Sequence, residues 1–246
     1  MRIDVFLSET GVVSSRSEAK RFIEEGAVYI DGVQIMKASF DVSGLEDKVF
    51  VNKSVKRYVS RGGIKLKGAF EAFKINASGK KCLDIGASSG GFTDCLLQEG
   101  AKHVIAVDSG SGQIVHSLRN DPRVSVFENY NARYMTSGDF EYIPELAVMD
   151  VSFISATYII PSVYNVLAED GEFVCLIKPQ FEVGKQGIGK GGIVKDSKMR
   201  DMAVKKVTDF AESCGFKTVS LIQSPIKGGD GNVEFLAYFI KHKGIA

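Results

Sequence analysis

Lys81 to Asp108 reads KCLDIGASSGGFTDCLLQEGAKHVIAVD, in the order strand, glycine-rich turn, helix, strand, acid. Cys82 to Ile85 is the short apolar run expected of a strand buried on both faces of a parallel sheet. Gly86-Ala87-Ser88-Ser89-Gly90-Gly91 follows, and its glycines let backbone N–H groups approach a ligand closely. A helix then runs through Leu97 and is stopped by Gly100. His103 to Val107 is a second apolar strand, with Asp108 at its carboxyl end. Open α/β sheets bind ligands at that end, and an acid there can hold a ribose hydroxyl.

The turn lacks the G-x-G-x-x-G spacing of a dinucleotide site. A G-x-x-x-G loop with an acid after the next strand suits a ligand that has a ribose but no pyrophosphate, such as S-adenosylmethionine. A structural βαβ turn in an unrelated α/β domain would read the same way. Asp108 could equally cap the next helix.

The chain around this stretch has 246 residues, 44% hydrophobic and 25% charged, with a net charge of +1. That is room for a large domain plus a small one, and no global field points to nucleic acid or membrane. The four cysteines, Cys82, Cys95, Cys175 and Cys214, are far apart and form no C-x-x-C pair, so no zinc or dithiol site is read. That usage suits a reducing compartment, and no signal peptide or spanning segment is seen, so a cytoplasmic protein is expected.

Upstream, residues 1–58 read as a small α+β domain. Ile3, Phe6 and Leu7 have helical spacing, and Ser15-Arg16-Ser17-Glu18 is a capping box that opens a second helix. Asp31-Gly32 between Ala27–Ile30 and Val33–Ile35 predicts a hairpin. Asp47 to Val51 predicts a further strand. Basic residues at the helix start suit an RNA-binding module, though a small α+β domain with solvated Arg and Lys fits too. The run Arg2-Ile3-Asp4, then Ser15-Arg16-Ser17 and Ala19-Lys20-Arg21 through Gly32, resembles the alpha-L (S-four-like) RNA-binding motif. That resemblance implies phosphate contacts by Arg2, Arg16, Lys20 and Arg21. Lys53 to Lys67 adds six bases and no acids, among them Arg57 and Arg61, a local basic footprint for RNA. Gly62-Gly63 then precedes a helix through Phe73, which places Lys65 in the first turn, electrostatically a poor position for a cation.

Downstream, strands are expected at 81–85, 103–107, 124–127, 145–149, 172–177, 217–223 and 233–240. Helices are expected at 92–99, 113–118, 155–168 and 197–213. This alternation implies a doubly wound α/β sheet of seven strands over residues 59–246. No helix separates the last two strands, so they should form an antiparallel pair, as in class I, Rossmann-like S-adenosylmethionine methyltransferases. Gly184 to Lys190 fits half of a P-loop, but Gly191 stands where Ser or Thr should be. Val183 to Lys195 is read instead as a flexible basic loop.

Four charged residues stand where apolar ones are expected: Lys65, Asp150 and Lys178 at element ends, and Glu234 inside an apolar strand. Buried Lys and Glu are paired or functional. Together they resemble the K-D-K-E tetrad of FtsJ-like RNA 2′-O-methyltransferases. Several stretches resemble the TlyA family, often labelled hemolysin A: Tyr58 to Leu66, Asp84 to Asp94, Asn131-Ala132-Arg133, Asp150 to Ser155 and Lys178 to Glu182. The resemblance implies S-adenosylmethionine-dependent 2′-O-methylation of ribosomal RNA cytidines, in the large subunit and possibly also the small one. It implies cofactor contacts by Gly86, Ser88, Gly90, Gly91, Phe92, Asp108 and Asn131. Lys178 is expected as base or hydroxyl activator, with Asp150 orienting it and Glu234 orienting Lys65 or the ribose. The partners implied are ribosomal RNA or ribosomal subunits, with the chain a monomer or weak dimer. An assembly factor with a vestigial domain, or a hemolysin-like protein, is the competing reading. A base methyltransferase would carry an N-P-P-Y-like motif where this chain has Asp150-Val151-Ser152-Phe153.

Overall fold

A computed structural model describes residues 1–24, 26–52 and 58–242. The chain divides into two compact units, Met1–Arg57 and Tyr58–Ala246.

In the first unit, α1 (Ile3–Glu9) packs Ile3 and Leu7 against Ala19, Phe22 and Ile23 of α2 (Arg16–Glu24). The Ser15 hydroxyl accepts the Glu18 N–H at 3.1 Å, as a capping box requires. The return bond is displaced by one residue, because the Glu18 carboxylate takes the Ser14 N–H and hydroxyl at 2.8 and 2.6 Å. Strands β1 (Val28–Ile30) and β2 (Val33–Gln34) are joined by Asp31 and Gly32, both left-handed with φ of 49° and 77°. Two left-handed residues in a two-residue loop match the twist of the strands they join. β3 (Val49–Val51) pairs on the other side of β1.

The second unit opens with α3 (Gly62–Phe73), followed by β4 (Lys81–Ile85), α4 (Gly91–Gln98), β5 (His103–Val107), α5 (His116–Arg119) and β6 (Val124–Phe127). The chain then returns to the middle of the sheet with β7 (Leu146–Met149), α6 (Ile160–Val166), β8 (Glu172–Ile177), α7 (Pro179–Glu182) and α8 (Ser197–Ser213). It ends with β9 (Phe216–Gln223) and β10 (Phe235–Lys241). The strand order is β6-β5-β4-β7-β8-β10-β9. β6 to β8 run parallel, and β10 lies antiparallel to both β8 and β9. The order reverses between β4 and β7, which opens a crevice at their carboxyl ends. Alternate strand residues feed two cores. Leu83, Ile85, Met149, Phe173 and Phe239 face the side of α6 and α8, while Cys82, Val148, Val174 and Leu236 face α3 and α4.

Two expectations are corrected. The helix expected at 155–168 is a short 3-10 turn, Ala156–Tyr158, and then α6, because Pro161 has no N–H to donate and fits only a first turn. Glu234 precedes β10 rather than lying inside it. The loop 183–195 is tied down near its end, where the buried Asn232 carboxamide accepts the Val194 N–H and donates to the Gly192 carbonyl, both at 3.0 Å.

Phe239 is fully buried, with its ring 5.6 Å from Phe173 and 6.0 Å from Phe216. Phe239→Ala should cost about 3–5 kcal/mol, as large-to-small core changes do. Urea unfolding should show a lowered midpoint; an unchanged midpoint would mean the β8–β10 contact is not central to the core.

Candidate active site

The turn after β4 is shaped by a close approach. Gly86 has φ +82°, and a Cβ there would lie 2.4 Å from the Asp150 carbonyl oxygen at the end of β7. Only glycine lets the two strand ends come that near. Beside it lies a cavity of about 460 Å³, lined by Gly86, Ser88, Asp108, Asn131, Tyr130 and Asp150 among others. That is room for a nucleoside-sized ligand. Asp108 does not cap a helix: its carboxylate accepts the Ser88 N–H at 2.8 Å and the Gly110 N–H at 2.7 Å, joining the two ligand-side loops. Each carboxylate oxygen has a second lone pair, so a ribose hydroxyl can still be accepted. The Asn131 carboxamide oxygen accepts the Arg133 N–H at 3.2 Å, which fixes the side chain at the cavity wall.

Gly91 and Phe92 line a smaller neighbouring cavity of about 180 Å³, which also touches Asp150, Ser152 and Lys178. Gly90 lines neither cavity. It is left-handed at φ +98°, and a Cβ there would lie 2.3 Å from Leu118 Cδ1, so its role is packing against the α5 side. Sequence reasoning missed Asp84. It is fully buried on β4; one oxygen accepts the Thr93 hydroxyl at 2.6 Å and the other has no hydrogen-bond partner. Burial pushes its carboxyl up to about 7, against the pull of the Thr93 hydrogen bond and with the help of the Asp150 and Asp108 charges. The signal in the sequence was an acid inside an otherwise apolar strand. Two cavity-lining carboxylates, Asp108 and Asp150, beside a glycine turn suit a cationic ligand with a ribose and do not suit a pyrophosphate. S-adenosylmethionine, with its sulfonium and ammonium, fits that donor set.

The four singled-out charges come together as two ion pairs. Lys65 of α3 donates to Glu234 at 2.6 Å, with both side chains nearly buried. Lys178, just after β8, lies 2.5 Å from Asp150 Oδ1 and donates to the Ser152 hydroxyl at 2.7 Å. The antiparallel register sets Phe235 of β10 opposite Ile177 of β8, so the next residues along, Glu234 and Lys178, emerge on one rim. A cavity of about 320 Å³ is lined by Lys65, Lys178, Glu234, Ser152, Phe153 and Gln180 with others. Ser152 and Phe153 also line the larger cavity, so the two are adjacent.

Phe153 was quoted only as part of a motif, and it stands out here. It is 92% exposed and left-handed at φ +64°, with its ring 5.3 Å from that of Phe181. A bulky residue held outward in a strained conformation points to a function. No periodicity in the sequence separates it from a core phenylalanine.

In the first unit, Arg2 and Arg16 converge on one carboxylate. The Asp4 side chain is fully buried and lies 2.9 Å from Arg2 Nε and 3.1 Å from an Arg16 terminal nitrogen, while both arginines stay about half exposed. Burial pushes the Asp4 carboxyl up, but the arginine hydrogen bonds and charges outweigh it and hold the group below its ordinary range. Lys20 is exposed, and Arg21 pairs with Glu18 at 3.3 Å. In the second unit, Arg61 donates to the Lys227 carbonyl at 2.7 Å. Arg57 lies outside the described residues.

The folded chain keeps the Asp84 proton up to about pH 7, whereas the unfolded chain releases it near 3.8. Stability from this group is therefore full below the unfolded value and lost as pH rises towards 7. Asp84→Asn should remove that loss, so its melting temperature should gain on the wild type between about pH 4 and pH 7. Parallel melting curves across that window would show the group to be unperturbed.

Residues 58–241 match the FtsJ-like methyltransferase family, and residues 1–49 match the S4 domain. The chain is 44% identical over 241 residues to "Hemolysin A" of Brachyspira hyodysenteriae, covering 98% of this chain and 100% of that one. It is 44% identical over 237 residues to "16S/23S rRNA (cytidine-2'-O)-methyltransferase TlyA" of Mycobacterium tuberculosis, covering 96% and 88%. A solved structure from Streptococcus thermophilus, described as a candidate hemolysin, superposes with a TM-score of 0.75 at 42% identity, covering 99% of this chain and 89% of that one. Matches of this extent mean that the chain belongs to the TlyA branch of the FtsJ-like methyltransferases, with an S4 domain ahead of the methyltransferase fold.

Proposed function

We propose that this chain methylates the ribose 2′-hydroxyl of cytidines in ribosomal RNA, those of the large subunit foremost, with S-adenosylmethionine as donor. The observation that carries this reading is the pair of adjoining cavities, with Lys178 at their junction and the second ion pair across from it. When bound, the cofactor supplies a methyl group on a sulfonium, a good electrophile that needs chiefly an aligned oxygen. Gly86, Ser88, Asp108 and Asn131 hold it; Gly91 and Phe92 close the adjacent wall.

The protein's task is to place the ribose oxygen and take its proton. As a neutral amine, Lys178 has two N–H bonds and one lone pair. Lys178 donates to the Ser152 hydroxyl, and the Asp150 carboxylate lies 2.5 Å from its nitrogen as a counter-charge, which leaves the lone pair for the 2′-hydroxyl proton. As the O–methyl bond forms and the sulfur–methyl bond breaks, that proton passes to Lys178, with Asp150 beside it to balance the new charge. Lys65, held by Glu234, donates to the sugar from the opposite wall of the cavity. Phe153 stacks on the target base and keeps it out of its helix, since base–aromatic stacking contributes roughly 1–3 kcal/mol. Arg2, Arg16, Lys20, Arg21 and Arg61 hold phosphates of the same RNA and position it without reading sequence. Such a substrate places the protein in the cytoplasm. No helix among the described residues is long and apolar enough to cross a membrane.

Lys178→Ala should lower tritiated methyl transfer to ribosomal subunits by about 10²–10⁴-fold while cofactor affinity stays within error. Full turnover in the variant would remove Lys178 from the proton's path. Arg16→Ala should weaken RNA binding evenly across sequences and reduce the slope of log K against log salt by about one. An unaltered slope would take Arg16 off the phosphates.

A further inference from the structure

A fourth cavity adjoins the tetrad cavity and has no part in the mechanism above. It measures about 560 Å³ and shares Phe153 and Phe181 with its neighbour. Its other walls include Tyr158, Phe210 and Lys206. We propose that it is a second nucleotide subsite, which takes the base next to the methylated nucleotide and stacks it on Tyr158. This rests on the ribose-methyltransferase reading.

Three observations carry the proposal. The first is exposure: Tyr158 is 64% exposed at the last residue of a 3-10 turn, where an aromatic ring without a ligand has no packing reason to be held outward. The second is rigidity. The buried Glu182 carboxylate accepts the Ser155 hydroxyl at 2.6 Å, the Ala156 N–H at 2.8 Å and Lys206 Nζ at 2.9 Å. Lys206 also donates to the Glu182 carbonyl at 3.1 Å. These bonds tie the loop that carries Phe153 and Tyr158 to α7 and α8, so both rings are presented from a fixed platform. Mobile side chains would lose entropy on binding; fixed ones lose less.

The third observation is charge. Lys206 and Glu182 neutralise each other, and the remaining walls are aromatic, aliphatic or hydroxyl-bearing. Such a groove suits a flat, uncharged group with hydrogen-bonding edges. It does not suit a phosphate, which wants an uncompensated cation. A nucleobase is the group of that chemistry that must be near, because Phe153 forms a wall of both cavities and the strand entering one continues past the other. A neighbour stacked there would hold the target nucleotide splayed out on its flank.

The test uses the full chain and two pentaribonucleotides, each with a central cytidine and with 2-aminopurine either 5′ or 3′ to it. With S-adenosylhomocysteine present, emission from one of the two should fall at least twofold on titration with the wild type. Tyr158→Ala should abolish that quenching and weaken binding of the same oligonucleotide about 5- to 150-fold, the equivalent of one stacked base. Tyr158→Phe, which keeps the ring, should restore both. Quenching of neither oligonucleotide, or quenching untouched by Tyr158→Ala but lost in Phe153→Ala, would overturn the subsite. So would a change of sedimentation in Tyr158→Ala, which would mark the groove as a contact between copies of the chain. Methyl transfer to ribosomal subunits, measured in parallel, tests the underlying reading separately. Transfer without Tyr158-dependent quenching sinks the subsite alone; such quenching without transfer sinks the methyltransferase reading and leaves a base-binding groove.

Discussion

Lys65 and Glu234 lie 169 residues apart and meet at 2.6 Å in a site nearly closed to water. A buried pair of this kind gains little stability over an apolar pair of the same shape, but losing one partner strands the other and costs about 3–5 kcal/mol. The fold therefore has to deliver both ends. It does so by inserting β10 between β8 and β9, antiparallel to each. The first residue of a reversed strand arrives at the rim where parallel strands finish. Glu234 thereby joins Lys178 and Asp150, which end β8 and β7, and α3 brings Lys65 across to meet it. Gly228 makes room, since a Cβ there would lie 2.4 Å from Glu234 Oε1.

The second constraint is the contact of the glycine turn with the end of β7. Because Gly86 lies against the Asp150 carbonyl, the larger cavity and the Lys178–Asp150 pair cannot drift apart independently. Asp150 takes part in both: its backbone supports the turn and its side chain holds Lys178. Asp108 adds negative charge beside the same turn, which favours a cationic ligand over a phosphate-bearing one. The turn and the ion pair are thus organised by the same few atoms.

Much of this was legible in the sequence. The inner strands β4, β5, β7 and β8 are nearly continuous apolar runs because both faces are covered, so their positions could be read to within a residue or two. The tetrad showed itself as charges at apolar strand ends. What could not be read was what depends on the third dimension. Pro161 divides a periodic segment that looks like one helix. Asn232 ties down a glycine-rich loop from 38 residues away, with nothing local to announce it. Gly90 looks like a cofactor glycine by its place in the turn, yet its lack of a side chain serves Leu118. Phe153 and Tyr158 carry no periodicity that marks them as outward-facing. Asp84 was visible as an acid in a strand, but its unpartnered oxygen was not.

The most direct measurement is nucleoside-level mapping of methyl groups on ribosomal RNA from ribosomes incubated with S-adenosylmethionine and either the wild type or Lys178→Ala. A ribose 2′-O-methyl on a cytidine, present with the wild type and absent with the variant, is the predicted result. A methyl group on a base, or equal ribose methylation with both proteins, would contradict the assignment of this rim to ribose methylation.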